Sequence, residues 1–455
     1  PLHGRLARET YLEALTASLF AGRLAVSGGV LETAQAARAA PPPLQPPRAS
    51  DLLLDGLARL ITEGHDAGTP TLRRAVSAFR REDIPREEGI RWGWLACRAA
   101  GLLWDDEAWD VLSARLVQLA RDAGALSALP LGLTIRSGMQ LFAGEFAVVS
   151  SLVEEVAAVN EATGTSLAPY GALLLFAFQG REAEARQLIE AATGEVTRRG
   201  EGQGLTIIQW ATAALYNGLA RYEEALVAAQ QAAEDSYVIW FSTFGTVELI
   251  EAAVRSGRAG LAAEHLVRLS QRTAASGTDW ALGIEARSRA LLSEGETAQI
   301  LYRESIERLA RTRLRLELAR AHLLYGEWLR RESRRLDARE QLRTAQELFR
   351  QFGMQAFAER ARVELEATGE HSRKRAAEAR DDLTAQEGHI CRLAAEGGTN
   401  QVIAAQLFIS PSTVDYHLRK AFRKLGVKSR HQLKQHVLQP DASAEPAARS
   451  PDPSE

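Results

Sequence analysis

Segments of this chain open in the same way at a nearly constant spacing, and no other feature constrains the fold as much. GREAEARQLIEAA from Gly180, ARYEEALVAAQQAA from Ala220, GRAGLAAEHLVRLS from Gly257, GETAQILYRESIERL from Gly295 and SRRLDAREQLRTAQELF from Ser333 are built alike. Each begins with a small residue, passes through polar positions and enters an Ala/Leu-rich amphipathic helix. The starts lie 40, 37, 38 and 38 residues apart; Gly144 extends the series upstream by 36, and Trp104 and Gly68 continue it. A period near 38 made of helix–turn–helix units is the signature of a tetratricopeptide-like α-solenoid, whose hairpins bury their apolar faces by stacking on one another. The small residue at each start is expected to let the second helix of a pair approach the first closely. The motif is too degenerate to fix the number of repeats.

From Arg5 to Gly369 the apolar residues recur at three and four, Gly or Pro marks the breaks, and β-branched runs are scarce, so the body reads as helix throughout. APPPLQPPRAS, Ala40 to Ser50, carries five prolines and reads as an extended surface loop. RRGEGQG, Arg198 to Gly204, alternates glycine in the manner of a phosphate-cradling loop. No strand precedes it and no Lys-Ser/Thr follows, so it reads as an inter-helix loop.

The distribution of lysine excludes one large class of function. The five lysines are Lys374, Lys420, Lys424, Lys428 and Lys434, and none precedes Lys374. A nucleotide-binding P-loop needs a lysine ammonium on the β/γ-phosphates, so the body cannot contain one. HExxH, CxxC and GxSxG are also missing, and the reading is of a protein that is not an enzyme and holds no cofactor of its own. His265 and His322 read as packing or surface residues, and Trp92, Trp94, Trp104 and Trp109 as core more than as a ligand groove. Cys97 and Cys391 are the only cysteines, which fits a reducing cytoplasm and a cytoplasmic location. No apolar run approaches the roughly 20 residues of a membrane helix. The chain opens on Pro1 without a signal-peptide apolar region, which reads as a fragment or a trimmed product.

The net charge of −3 hides an asymmetry: Ser410 to Gln439 holds seven Lys/Arg against one acid, Asp415, so this stretch carries +6 and the rest −9. A basic tip on an acidic body points to a polyanion partner at that end. The tip has its own punctuation. Thr384 and Glu387 have capping-box spacing, followed by a helix with Ile390, Leu393 and Ala394 inward that stops at Gly397-Gly398. Thr399 or Asn400 caps a second helix with Ile403, Ala404 and Leu407 buried. Ser410 caps a third, with Pro411 at its first position, running to Leu425 and Gly426. Val414, Leu418, Ala421 or Phe422, and Leu425 turn inward. Thr413, Asp415, Tyr416, Arg419, Lys420, Arg423 and Lys424 remain outside. Ser429 caps a last helix. A short, capped helix with a cationic outer face suits entry into the DNA major groove.

The residues Leu383-Thr384-x-x-Glu387, Thr399-Asn400, Ile403-Ala404, Leu407, Ile409-Ser410, Thr413-Val414, His417-Leu418 and Lys424-Leu425-Gly426-Val427 with Ser429-Arg430 resemble the LuxR-type (GerE-like) helix-turn-helix over roughly 55 residues. The resemblance implies a four-helix domain of a bacterial transcription regulator whose third helix reads double-stranded DNA and whose fourth forms a homodimer. It implies that Thr399, Asn400, Gln401 and Ser410 hold phosphates, that Ser412, Thr413, Asp415, Tyr416, Arg419 and Lys420 face bases or backbone, and that Lys424 binds phosphate. Many members carry a basic residue where this chain has Asp415; a carboxylate there can accept from cytosine N4.

The stretch Arg315 to Glu370 resembles the large ATPase-linked (MalT-like) branch of these regulators. ATP would then enter only through an N-terminal module absent from this sequence. The expected organisation is an all-α chain, with a repeat domain at 1–369, a linker at 370–382, the helix-turn-helix domain at 383–439 and an acidic disordered tail at 440–455. An unknown effector or protein is expected on the solenoid's concave face, with no membrane partner. The alternative is an interaction scaffold whose terminal domain docks protein.

Overall fold

The computed structural model describes residues 2–26, 29–43, 45–81, 83–164, 167–234, 240–369, 385–407, 409–425, 427, 429 and 432–433. Twenty-two α-helices and one short 3-10 turn make up the described residues, and no strand occurs among them. The chain divides into two compact units, Pro1–Leu365 and Glu366–Glu455.

The first unit is a tetratricopeptide-like solenoid. After α1 (Leu2–Ala21) and α2 (Val30–Arg38), sixteen helices form eight hairpins. They are α3 (Ala49–Glu63) with α4 (His65–Arg80), α5 (Arg86–Leu102) with α6 (Asp106–Asp122), α7 (Leu129–Ala143) with α8 (Phe146–Thr163), and α9 (Tyr170–Gln179) with α10 (Glu182–Arg199). The series continues with α11 (Gly202–Gly218) and α12 (Tyr222–Ala233), α13 (Phe241–Arg255) and α14 (Ala259–Ser276), α15 (Asp279–Leu291) and α16 (Gly295–Ala310), then α17 (Arg315–Arg331) and α18 (Arg335–Phe352). The helix α19 (Gln355–Ala367) closes the stack.

Every hairpin turns on one residue with left-handed backbone: Gly64 (φ 96°), Trp104 (55°), Gly144 (85°), Gly180 (77°), Ala220 (57°), Gly257 (73°), Gly295 (56°) and Ser333 (61°). Seven of the repeat starts read from the sequence are therefore the hairpin joints themselves. The eighth, Gly68, is corrected: the joint is Gly64, and Gly68 lies within α4, where a Cβ would come 2.4 Å from the Leu60 Cβ. The expected reason for the small residues also changes. At Gly257 and Gly295 a Cβ would meet nothing within 4 Å, and at Gly144 and Gly180 it would meet Phe352 at 2.7 Å and Ala356 at 2.3 Å, neither on the paired helix. What selects these positions is the left-handed residue that ends a helix and frees its last carbonyls for capping.

The proline-rich connection differs by two residues from its expected extent. Ala49 and Ser50 already belong to α3, because the Asp51 carboxylate accepts from the Arg48 backbone N–H at 3.1 Å and starts the helix early. The glycine-rich loop shrinks in the same way to Gly200 and Glu201, since α11 begins at Gly202. Gly202 is tolerated there by close packing: a Cβ would sit 2.2 Å from the Ala21 carbonyl oxygen.

The solenoid winds tightly. Helix α11 returns against α1, α14 against α4 and α17 against α7, so the inner faces of one turn pack on those of the next. A Cβ on Gly101 would lie 1.7 Å from the Trp240 ring, and one on Gly218 2.7 Å from Phe357. The open concave face expected from the repeat pattern is thus largely filled. Aromatic rings line its axis: Trp109 stacks on Trp280 (5.9 Å between centroids, 7° between planes), Trp240 meets Trp109 edge-on at 5.1 Å, and Trp210 stacks on Phe244 at 4.9 Å. Trp92, Trp94, Trp104 and Trp109 are all buried.

A charged network runs through the same interior. Arg320 binds Glu248 at 2.5 and 2.8 Å and Glu251 at 2.7 Å, and Arg360 binds Glu251 and Glu327 at 2.7 Å each. Arg255 also reaches Glu327, and the Asn217 amide donates to Glu248 at 2.8 Å. The two guanidiniums outweigh burial and hold the Glu251 carboxyl well below the usual carboxylate range. Ions this deep are tolerated only when their hydrogen-bonding sites are met by partners. His322 lies among the repeat helices with its Nδ1 2.8 Å from Gln341 Oε1, and burial lowers its pKa.

Candidate nucleic-acid interface

The second unit contains α20 (Ala385–Ala395), α21 (Asn400–Leu407) and α22 (Pro411–Leu425). Its small core is Ile390, Cys391, Ala394, Ile403, Ala404, Val414, Leu418, Ala421, Leu425 and Leu433, with Leu393, Leu407 and Phe422 packed at its margin. The inward stripes read from the sequence are these residues. Helix α20 ends where Gly397 takes φ 100° and the Gly398 N–H donates to the Leu393 carbonyl at 3.0 Å. Burial pushes the Cys391 thiol up to about 11, with the nearby Glu387 adding to it, so it stays protonated at neutral pH.

Two caps set the helix-turn-helix. The Thr399 hydroxyl accepts from the Val402 N–H at 3.3 Å, which starts α21 at Asn400. The Ile409 N–H donates to the Ala404 carbonyl at 3.0 Å in the turn, and the Thr413 N–H donates to the Ser410 hydroxyl at 3.1 Å. The Ser410 hydroxyl also lies 2.7 Å from that of Ser412 and 2.8 Å from that of Thr413. Neither α21 nor α22 has an acidic residue in its first turn. The backbone N–H groups and hydroxyls at these starts are therefore not countered locally by a carboxylate, an arrangement suited to phosphate.

The outer side of α22 carries the other expected contacts. Tyr416 is 62% exposed and its ring lies edge-on to His417 at 5.5 Å. Arg419, with its side chain 79% exposed, binds the Asp415 carboxylate one turn earlier at 2.9 Å. The unusual acid at position 415 thus holds the guanidinium that would reach a base or phosphate. Lys420 also lies on this side, half-exposed, but its Nζ reaches 3.5 Å from Glu387, a buried carboxylate of α20. Thr399, Gln401, Ser410 and Ser412 are exposed, while Asn400 and Thr413 are half-buried.

The Thr384 half of the expected capping box, the side chains of Arg423 and Lys424, and Gly426 lie outside the described residues. So does most of the expected fourth helix. Its start is seen where the Gln432 N–H donates to the Ser429 hydroxyl at 3.3 Å. Sequence reasoning did not anticipate the role of Glu387 as the buried partner of Lys420. The only local signal was its capping-box spacing, and the partner lies on another helix.

Residues 381–437 match the family described as bacterial regulatory proteins, luxR family. The chain is 41% identical over 56 residues to the spore germination protein GerE of Bacillus subtilis, a stretch covering 12% of this chain and 76% of that protein. It is 52% identical over 50 residues to a nitrate/nitrite response regulator homolog of Haemophilus influenzae, covering 11% of this chain and 24% of the other. A protein of Mycobacterium tuberculosis named as an HTH-type transcriptional regulator is 44% identical over 78 residues; the match spans 17% of this chain but only 8% of that longer relative. With the capped α21–α22 pair, its exposed cationic side and these likenesses in place, the chain belongs to the luxR family of bacterial regulatory proteins.

Proposed function

We propose that this protein is a sequence-specific, DNA-binding transcription regulator. In this reading the C-terminal unit lays α22 in the major groove as a dimer, and the helical-repeat body receives an effector or protein signal. The observation that carries it is α22: a Ser410-capped helix without an acid in its first turn, presenting Tyr416, Arg419 and Lys420 outward. Arginine offers a planar fork that matches guanine O6/N7 or phosphate. Thr399, Gln401, Ser410 and Ser412 supply hydroxyl and amide groups for the backbone, which fixes register before bases are read.

The test is retention of the full chain on mixed-sequence duplex DNA across a salt series. Arg419→Ala combined with Lys424→Ala is expected to weaken binding at least ten-fold and to flatten the salt dependence. Lys420 is left in place because it also pairs with the buried Glu387. Unchanged retention would overturn the reading and favour an interaction scaffold whose terminal unit docks protein.

A further inference from the structure

Near the axis of the tightly wound body lies a cavity of about 280 Å³, lined from α1, α5, α6, α7, α9, α11 and α13. Trp94, Trp109, Trp210, Phe142 and Phe244 give its walls. Such a volume lies just below the roughly 300–1,000 Å³ of small-molecule sites, enough for one or two fused rings.

One side chain in this lining carries an uncompensated charge. Arg98 donates through Nη1 to Gln203 Oε1 at 2.7 Å, and its guanidinium lies 5.1 Å from the Phe241 ring centroid and 5.9 Å from that of Trp94. Among the described residues no carboxylate forms an ion pair with it, and burial pulls its pKa down to about 10. The deeply buried Arg287, Arg320 and Arg360 differ in this respect: each meets a glutamate at 2.5–2.7 Å. Arg272 also has no ion pair among the described residues, but the void it borders is about 10 Å³, too small for a ligand. Glu201 shares the rim of the large cavity, and its charge is met by the Tyr170 hydroxyl at 2.8 Å and by Arg199 at 3.5 Å. A cation kept in apolar surroundings without a counter-ion is costly, and a ligand that brings the missing negative charge removes that cost.

We propose that this cavity is a binding site for a small planar aromatic carboxylate, with the ring system between the tryptophan and phenylalanine faces and the carboxylate on Arg98. Gln203 holds the guanidinium toward the cavity, and the rings on either side of it select for flatness. The proposal rests on the reading of the body as the part that receives a signal, and names the chemistry of that signal.

The experiment is calorimetric titration of the full chain, without DNA, with 2-naphthoate, 2-naphthamide and 2-naphthylmethylammonium. The expected result is saturable binding of the carboxylate at least ten-fold tighter than the amide, with the cation weakest. Arg98→Gln is expected to remove the preference for carboxylate over amide, and Arg98→Lys to keep most of it. Equal affinity for the carboxylate and the amide, tightest binding of the cation, or no binding at millimolar concentration would overturn the proposal, and the native protein alone decides each of these. Because the titration contains no DNA, its failure leaves DNA retention as an independent measurement, and loss of DNA retention leaves the titration intact.

Discussion

The two units use cationic side chains in opposite ways. In the solenoid the cations are arginines, and the most deeply placed ones are consumed internally: Arg320 joins Glu248 to Glu251, and Arg360 joins Glu251 to Glu327. Several of its helices even begin with their own acids, as α6 does with Asp106 and Glu107 and α12 with Glu223 and Glu224. In the C-terminal unit α21 and α22 begin without acids, and Arg419 projects outward. A total charge near zero therefore says little about binding. What separates structural from recognition charge is whether the counter-charge is inside the fold.

That contrast can be broken most forcefully at Glu251. Glu251→Ala leaves Arg320 and Arg360 short of a shared partner, and is expected to lower stability by about 3–5 kcal/mol. Denaturant unfolding followed by tryptophan fluorescence reads this directly, since all eight tryptophans lie in the solenoid. A loss below 1 kcal/mol would mean that the network is not structural.

A smaller effect is expected from pH at His65. Burial, and next the Arg272 guanidinium, hold its imidazole down at about 4. The unfolded chain takes up a proton near pH 6.5 that the folded protein refuses, so this contribution is complete above pH 6.5 and is lost as pH falls toward 4. Between pH 7.5 and 5 it amounts to about 2 kcal/mol. His65→Gln is expected to flatten the urea-unfolding midpoint over that interval, and an unchanged pH dependence would count against it.

The smallest expected change in stability is at Arg419, whose exposed pair with Asp415 is worth about 0.5 kcal/mol or less. Arg419→Ala should leave unfolding almost unaltered while lowering the salt slope of DNA binding by about 1. A variant that lost stability and kept its salt slope would erase the distinction between the two units.

The sequence made the local features legible. A left-handed residue ending a helix leaves its mark at that position, so Gly144, Gly180, Ala220 and Ser333 could be found by spacing alone. The caps at Thr399 and Ser410 act on N–H groups two or three residues away, and are legible for the same reason. What could not be read depends on distant partners. An amphipathic repeat helix looks the same whether its inner face borders an open groove or another turn of the superhelix, and nothing near Gly101 announces Trp240. Glu387 and Lys420 stand thirty-three positions apart, and Arg98 sits in the apolar second half of α5, whose neighbours say nothing of the cavity before it.

The return of α11 onto α1, α14 onto α4 and α17 onto α7 has a consequence for how such a chain can change length. In an open repeat array each unit touches only its neighbours, and units can be gained or lost with a local penalty. Here α1, α4 and α7 each also meet the helix ten places further along the chain. Removing or adding a hairpin would slide those partners out of register at once, so the body behaves as a closed block of fixed size assembled from repeating parts.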